Sequence, residues 1–268
     1  MTKEEETPDM GKWATIILAA GKGTRMKSRL AKVLHRIQGR AMLCYPIELA
    51  KNIKPHSIIV VVGHQAERIR RAMDGGDITF VHQKQQLGTG HAIQQAREAL
   101  KDFHGNILIL CGDVPLLLPS TVKAMTDMHT QNRASITVLT AILNDPSGYG
   151  RIVKDNRNNV TKIVEERDAS DEEKKIKEIN TGIYCAESNF LFEAVKQIDN
   201  NNAQKEYYLT DIFQYARERR AKVISMIAHD PQETMGINTM KDLEEANRIL
   251  TERKQKIRSY QEIPPASQ

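Results

Sequence analysis

Short apolar runs alternate with longer amphipathic segments over the first half of the chain. The apolar runs are bounded by turn or charged residues and predict β-strands at residues 14–18, 58–62, 78–81 and 107–110. Apolar positions recur at helical spacing in residues 42–53, 65–73, 89–100 and 121–129. Pro119 and Ser120 supply a start for the last of these helices. This alternation is typical of βαβ units and predicts a parallel sheet.

The pattern changes after residue 134. Four apolar segments follow with little helix between them and predict strands at residues 135–142, 151–153, 160–164 and 179–185. We expect these strands to form a more antiparallel section placed over one end of the parallel sheet. The remaining segments predict helices at 189–198 and 209–219, a strand at 223–228 and a strongly charged final helix at 240–257. The expected fold is α/β, with a Rossmann-like, mainly parallel mixed sheet, helices on both faces and a C-terminal helical arm.

These segments predict one large domain. We expect a flexible N-terminus at residues 1–12, the domain at 13–238, and the final helix with a frayed tail at 239–268. The 268 residues carry a net charge of +5, but acidic and basic residues are interleaved and no basic tract is flanked by aromatic residues. This composition argues against a nucleic-acid partner. No apolar stretch approaches membrane-spanning length, so we expect no membrane partner.

Cysteine usage and the N-terminus bear on the compartment. Cys44, Cys111 and Cys185 are odd in number and far apart, which is neither a disulfide framework nor a paired zinc motif. The first ten residues are acidic and polar and lack the features of a signal peptide. We therefore expect a protein of the reducing cytoplasm.

A glycine-rich, cationic loop follows the first predicted strand, within residues 18–26. Gly21 and Gly23 permit close approach of a ligand to the backbone, and Lys22, Arg25 and Lys32 add positive charge. Backbone N–H groups in such a loop form an anion site. The spacing matches neither a Walker A loop nor the dinucleotide fingerprint. The segment is either a phosphate loop of another kind or a glycine-rich turn with exposed charges.

Polar residues follow the other predicted parallel strands in the same way. Gln83 and the segment 88–90 follow the third strand, and Gly112 with Asp113 follows the fourth. The carboxyl ends of parallel strands share one edge of a sheet, where α/β proteins bind ligands. Asp113 is suited to Mg²⁺, which takes one or two carboxylates plus substrate phosphates. Its alternative role is a helix cap or turn residue.

An ordered set of motifs extends these observations along most of the chain. The motifs occupy residues 18–26, 32–35, 86–92, 112–116, 145–152, 163–165, 178–182, 200–204, 206–211 and 236–238. Together they resemble the uridylyltransferase (pyrophosphorylase) domain of the bacterial bifunctional enzymes that make UDP-N-acetylglucosamine. The resemblance implies a nucleotidyltransferase fold of the GT-A-like kind. It also implies the synthesis of UDP-N-acetylglucosamine, a cell-wall precursor, and pyrophosphate from UTP and N-acetylglucosamine 1-phosphate.

The resemblance also implies roles for matching residues. Uridine and phosphates would bind the loop of Leu18, Ala19, Ala20, Gly21 and Gly23, and the uracil would be read by Gln83, Gly88 and Thr89. Arg25 and Lys32 would neutralise charge on the triphosphate, and Asp113 and Asn238 would hold Mg²⁺. The sugar phosphate would bind Gly150, Glu165, Asn180 and Thr210. We assign no catalytic role to His35 or His91, and we expect Glu166 to be a surface charge.

Three departures from the family pattern affect these expectations. Ala31 stands where the family usually has proline, and Cys111 stands where it often has tyrosine. We expect the first change to leave Lys32 less preorganised and the second to alter the fit of the sugar. The hexapeptide-repeat acetyltransferase half does not follow, so the chain is either a stand-alone pyrophosphorylase or one domain of a longer protein. The final helix could pair two chains.

Two other functions stay open at this point. One is nucleotidyl transfer to another sugar phosphate, or from another base, because the same charged loop serves many such reactions. The other is a UDP-sugar-binding protein without turnover. A substrate panel would distinguish the first, and UDP-sugar binding without release of pyrophosphate would support the second.

Overall fold

The computed structural model describes residues 9, 11–73 and 77–261, with side chains described as far as residue 256. Much of the predicted flexible N-terminus and all of the tail beyond residue 261 lie outside the described residues. The strands are Trp13–Ala19 (β1), Arg36–Ile37 (β2), Arg40–Ala41 (β3), Ile58–Val62 (β4), Ile78–His82 (β5), Asn106–Cys111 (β6), Ile136–Ile142 (β7), Arg151–Lys154 (β8), Val160–Val164 (β9), Glu178–Glu187 (β10) and Val223–Ile227 (β11). The α-helices are Cys44–Lys51 (α1), Ala66–Ala72 (α2), Thr89–Ala96 (α3), Pro119–Asn132 (α4), Asp171–Lys174 (α5), Ser188–Gln197 (α6), Ile212–Glu218 (α7) and Met240–Gln261 (α8).

The main sheet has the strand order β11-β7-β10-β6-β1-β4-β5, and every strand on this path except β10 runs in the same direction. The predicted parallel sheet is therefore confirmed. β4 shows why the apolar runs predicted strands of a parallel sheet. All of its residues are buried, and the segment is a continuous run of β-branched residues. Strands covered on both faces have this composition.

The strands after residue 134 pair mostly antiparallel, as expected, but the expectation that they lie over one end of the sheet is wrong. β10 is inserted between β6 and β7, pairs antiparallel with both, and makes the sheet continuous. β7 stays parallel to β6 because the helix α4 provides the crossover between them. The hairpin of β8 and β9 is attached to the side of β10 through a bridge between Arg151 and Ile179.

Two apolar clusters cover the two faces of the sheet, as predicted. One contains side chains of α3, α6 and α7, with Ile93, Leu191 and Phe213 fully or almost fully buried. The other contains side chains of α1, α2 and α4, with Ile69 and Met125 at its centre. Residues that alternate along β1, β4 and β6 point into one cluster or the other, as the pleat of a strand requires.

A third, smaller cluster packs α8 against the domain. It joins Leu243, Ala246 and Ile249 of the helix to Met26 and Ile237, among others. The Arg253 guanidinium donates to the carbonyl of Leu116 at 2.7 Å. The first half of α8 thus packs on the folded domain. The structure does not test the domain boundary predicted at residue 238, which stays a prediction. Among the residues that the structure describes, no helix combines the length and the hydrophobicity needed to cross a bilayer.

His129 is a buried imidazole beneath the sheet. Its two nitrogens lie 2.9 Å from the Thr137 hydroxyl and 3.1 Å from the Asn106 side-chain oxygen, and its ring packs edge-on to Trp13. Burial lowers the pKa of His129 to about 4. The unfolded chain takes up this proton near pH 6.5, so the folded state loses stability as the pH falls from about 6.5 towards 4.

We predict that His129→Gln removes this part of the pH dependence. The titration of His129 should cost the wild type about 2 kcal/mol of unfolding free energy between pH 7.5 and pH 5. Urea unfolding of both proteins at the two pH values measures the difference. Equal losses of stability in wild type and variant would show that His129 does not titrate differently on folding.

Candidate active site

A cavity of about 470 Å³ opens at the carboxyl ends of β1, β5 and β6. Ten of the sequence-predicted site residues line it: Leu18, Ala19, Ala20, Gly21, Gly23, Lys32, Gln83, Gly88, Thr89 and Asp113. The parallel strands thus bring separate segments to one edge of the sheet, as the sequence predicts. Glu206 and Cys111 complete part of the wall.

The glycine loop packs closely against Lys32. Gly23 has a φ of 61°, and a side chain there would place its Cβ 2.6 Å from the Cβ of Lys32. The residue therefore has to be glycine for both conformational and steric reasons. Gly21 is exposed and has open space around its Cα. The loop leaves its backbone accessible from the cavity.

A second glycine holds the opposite wall. Gly88 has a φ of 108°, and a Cβ there would lie 2.5 Å from the carbonyl oxygen of Tyr207. The amide of Gly90 donates to that carbonyl at 2.8 Å, and the Leu209 amide donates to the Thr89 hydroxyl at 3.0 Å. The segment after β5 is therefore fixed to the segment that precedes Thr210.

Gln83 is buried beneath this wall with a defined orientation. Its side-chain amide donates to the Gly88 carbonyl at 3.0 Å and to Nδ1 of His91 at 2.9 Å. Burial lowers the pKa of His91, which keeps the imidazole neutral and able to accept. Among the described residues no group donates to the Gln83 side-chain oxygen. That oxygen is available as an acceptor.

Four charged or polar side chains meet at the end of β6. The Lys32 ammonium contacts a carboxylate oxygen of Asp113 and lies 3.1 Å from the side-chain oxygen of Asn238. Arg25 donates to the same Asn238 oxygen at 2.9 Å. One cation thus bridges the Asp113 and Asn238 oxygens, and both are hard ligands of the kind that Mg²⁺ prefers. The pair fits a magnesium ion.

Backbone hydrogen bonds hold Asn238 opposite Asp113. The Ile237 amide donates to the Asp113 carbonyl at 2.8 Å. Asp242, in the first turn of α8, accepts from the amides of Asn238 and Thr239 at 2.8 Å each. The described residues include no group of three or more His, Cys, Asp and Glu side chains suited to a metal. Further ligands would have to come from substrate or water.

The residues predicted for the sugar phosphate form a separate group near β8, β9 and β10. The Thr210 hydroxyl donates to the Glu165 carboxylate at 3.1 Å. The backbone N–H of Asn180 donates to the Gly150 carbonyl at 2.8 Å. A Cβ at Gly150 would lie 3.4 Å from both Asn180 and Glu165. Burial raises the pKa of Glu165, and the Thr210 hydrogen bond opposes this shift.

Comparison with known proteins identifies the family of the chain. The family model described as nucleotidyl transferase matches residues 14–253. The chain belongs to the nucleotidyl transferase family. This nucleotidyl transferase is 50% identical over 242 residues to the bifunctional protein GlmU of Geotalea daltonii, covering 90% of its own length and 53% of the relative. It is 44% identical to GlmU of Desulfotalea psychrophila, covering 90% of its own length and 71% of the relative.

This nucleotidyl transferase spans about half the length of the Geotalea relative. A solved structure of UDP-glucose pyrophosphorylase complexed with UDP-glucose has a TM-score of 0.70 to it at 18% identity. The alignment covers 90% of this chain and 99% of the other. The likeness shows that the two proteins share a fold.

Of the two substitutions noted in the sequence, only Cys111 lies on the wall of the cavity, whereas Ala31 is buried in the apolar cluster that contains side chains of α1, α2 and α4. Cys111 lines the cavity, and its thiol donates to the Gly182 carbonyl at 3.3 Å. Burial raises the pKa of Cys111 to about 12, so the thiol stays protonated. The three cysteines are free, in agreement with the absence of a predicted disulfide framework.

Sequence reasoning missed several residues that hold this nucleotidyl transferase site together. Glu166 is a charge at the surface, as expected, with its side chain 33% exposed, but it also pairs with the buried Arg151 guanidinium at 2.7 Å, which the sequence did not indicate. Asp242 and His91 orient Asn238 and Gln83 but contact the cavity only through them. Asp242 carried a weak signal, since it stands three residues after Thr239 at a helix start.

We predict that Ala31→Pro stabilises this nucleotidyl transferase. Ala31 already has a φ of −53° and a ψ of 134°, both of which suit proline. Its amide donates no backbone hydrogen bond among the described residues. The variant should gain about 0.4–1 kcal/mol by restricting the unfolded chain. Thermal unfolding measures the gain, and a lower melting temperature would show that the added ring atoms clash with buried neighbours.

Proposed function

We propose that the chain catalyses UTP + N-acetylglucosamine 1-phosphate → UDP-N-acetylglucosamine + pyrophosphate. The observation that carries this proposal is the pair of Asp113 and Asn238 oxygens, bridged by the Lys32 ammonium, beside an exposed glycine loop. Identity of 50% to a bifunctional GlmU over most of the chain supports the same activity. The glycine loop, Asp113 and Asn238 lie where the family resemblance of the motifs implies that a nucleotide binds.

The uracil would bind between Gln83 and the segment 88–89. The imide N–H of uracil is a donor, and the free side-chain oxygen of Gln83 is its natural partner. Its amide nitrogen cannot turn towards the base without losing the bonds to Gly88 and His91. Neutral His91 therefore fixes which group of Gln83 the base meets.

The phosphates would bind the loop of residues 18–23, with Arg25 and Lys32 beside them. Two anionic reactants repel each other, so catalysis has to supply positioning and positive charge. Arg25 and Lys32 are already directed at the point where Asp113 and Asn238 meet. They would stabilise charge on the triphosphate as pyrophosphate departs.

Asp113 and Asn238 would hold Mg²⁺. Bound there, the ion would polarise the phosphate oxygens and neutralise part of their charge. Asp242 and the Ile237 amide would keep the two ligands facing each other through their backbone bonds. Lys32 would then move its ammonium to the substrate side, since both cannot occupy one point.

The sugar would bind Gly150, Glu165, Asn180 and Thr210. A sugar hydroxyl can donate to the second oxygen of Glu165 while Thr210 holds the first. The reacting phosphate oxygen of N-acetylglucosamine 1-phosphate is already ionised and requires no general base. It attacks the α-phosphorus of UTP in line, the new P–O bond forms, and the bond to the β-phosphate oxygen breaks with pyrophosphate as the leaving group.

The proposal is tested by pyrophosphate release from UTP and N-acetylglucosamine 1-phosphate, with Mg²⁺ and with a chelator. A panel that crosses nucleoside triphosphates with several sugar 1-phosphates should select this pair. Preference for another pair would replace the substrates but keep the reaction class. Binding of UDP-sugar without any release of pyrophosphate would mean that the chain is a binding protein.

We predict that Asp113→Ala keeps the fold and loses at least about 100-fold in kcat, because it removes a charged ligand from the reaction centre. Asp127→Ala is the matched control, since Asp127 is ion-paired with Lys123 on the outer face of α4. Pyrophosphate release and circular dichroism measure the two effects. Full Mg²⁺-dependent activity of Asp113→Ala would reject the metal assignment.

We predict that Glu165→Gln raises the KM for the sugar phosphate about tenfold and leaves the KM for UTP unchanged, because a charge-assisted hydrogen bond becomes a neutral one. Burial raises the pKa of Glu165, so protonation should weaken sugar binding by the wild type as the pH falls. The variant should lack this dependence. Steady-state kinetics from pH 8 down to the ordinary glutamate pKa of about 4.5 compares the two. A parallel pH profile in both would exclude Glu165 as the titrating acceptor.

A further inference from the structure

Arg151 is a charged side chain in the interior of the protein. It is 1% exposed, and its Nε has no hydrogen-bond partner within the part of the chain that the structure describes. Its two terminal nitrogens contact Glu166, at 2.7 Å, and the carbonyl of Tyr149. Burying the guanidinium of Arg151 against a carboxylate that is itself 33% exposed brings little stability compared with an apolar side chain of the same volume. The position of Arg151 in the fold indicates a role other than stabilising the core.

The same pair fixes the loop between β7 and β8. Glu166 accepts a second hydrogen bond, at 3.2 Å, from the Gly148 amide. Arg151 is the first residue of β8 and is in register with Val164 of β9. The ion pair therefore joins the loop of residues 145–150 to the end of the β8–β9 hairpin.

The residues flanked by this pair are those proposed to bind the sugar phosphate. Gly150 directly precedes Arg151, and Glu165 directly precedes Glu166. Space at Gly150 is bounded by Asn180 and by a Glu165 oxygen, each 3.4 Å from a Cβ built there. A small shift of either strand end would change the separation of Gly150 and Glu165.

The loop also reaches the reaction centre. Burial raises the pKa of Tyr149, and the charges of Asp242, Asp113 and Arg25 also act on it, so its hydroxyl is near the residues of the proposed reaction centre. The loop thus extends from the ion pair at its base to the segment that carries Asn238. The position of Gly150 in the proposed sugar-phosphate site depends on how the loop is held.

We propose that Arg151 and Glu166 are positioning residues that set the sugar-phosphate site by holding the loop of residues 145–150 against Glu165. This inference rests on the proposed function for its catalytic effect. The ion pair contacts the loop and not the cavity lining, so it should act on the acceptor side and leave nucleotide binding intact.

The first test is Glu166→Gln, which keeps the shape and removes the charge. Glu172→Gln is the matched control, because Glu172 in the exposed helix α5 is ion-paired with Lys175 just after that helix. The KM for N-acetylglucosamine 1-phosphate should rise roughly tenfold in Glu166→Gln, while the KM for UTP stays within about twofold. The control should match the wild type. Equal changes in both KM values, or none, would overturn the proposal.

Arg151→Met and the double variant ask whether the two residues act as a pair. If Arg151→Met folds, its effect on sugar-phosphate KM should not add to that of Glu166→Gln. Arg151→Lys, which keeps charge but not the two-pronged geometry, should give an intermediate KM. Additive effects would mean that the residues act separately. Glu166→Gln alone decides the proposal if Arg151→Met does not fold.

Hydrogen exchange separates this inference from the proposed function. Glu166→Gln should speed exchange of amides in residues 146–151 and leave the strands of the main sheet unchanged, whether or not substrate is present. Unchanged exchange in this loop would refute the positioning role of Arg151 and Glu166 even in an active enzyme. Lack of pyrophosphate release by the wild type would refute the proposed function and leave this measurement valid.

Discussion

The hydrogen bond from the Ile237 amide to the Asp113 carbonyl joins the two halves of the reaction centre. Asp113 follows a buried strand of the main sheet, whereas Asn238 precedes the first turn of α8. Without this bond the Asn238 oxygen would not face the Asp113 carboxylate, and Lys32 could not contact both. Asp242 supports the same arrangement from the helix side. Two oxygen ligands from distant parts of the chain thus become one site.

The sheet separates the rigid part of the protein from its reactive part. Below the carboxyl ends of β1, β4 and β6 the side chains are buried and mostly apolar, with Thr15 and Asn106 as polar exceptions, and above them the chain carries glycines, amides and cations. A packed sheet keeps the loops from moving independently. Arg25, Lys32 and Asp113 are therefore held near one another before any substrate binds, and only the Lys32 ammonium would have to shift when a metal binds.

Hydrophobic periodicity was enough to predict the main sheet and most helices. The run that forms β4 and the amphipathic pattern of α3 are local properties, and the structure confirms both. The rule that ligands bind beyond parallel strand ends also placed Asp113, Gln83 and Gly23 correctly at one cavity. The insertion of β10 between β6 and β7 was not predictable in this way, because strand order depends on pairing between distant segments. The ion pair of Arg151 and Glu166 was not predicted for the same reason, because a single sequence does not show that Arg151 is buried or which residue it contacts.

The small cluster beneath α8 buries the immediate neighbours of residues at the reaction centre. Met26 follows Arg25, Ile237 precedes Asn238, and both pack against Leu243, Ala246 and Ile249. It is the smallest of the three apolar clusters described, and local opening begins where the fewest contacts must be broken. On warming, the detachment of this one helix would separate Arg25 and Asn238 from Lys32 and Asp113 while the sheet stayed folded. Inactivation would then occur at a lower temperature than the unfolding of the sheet. The highest temperature at which the protein is active would be set by the packing of α8 and not by the main core.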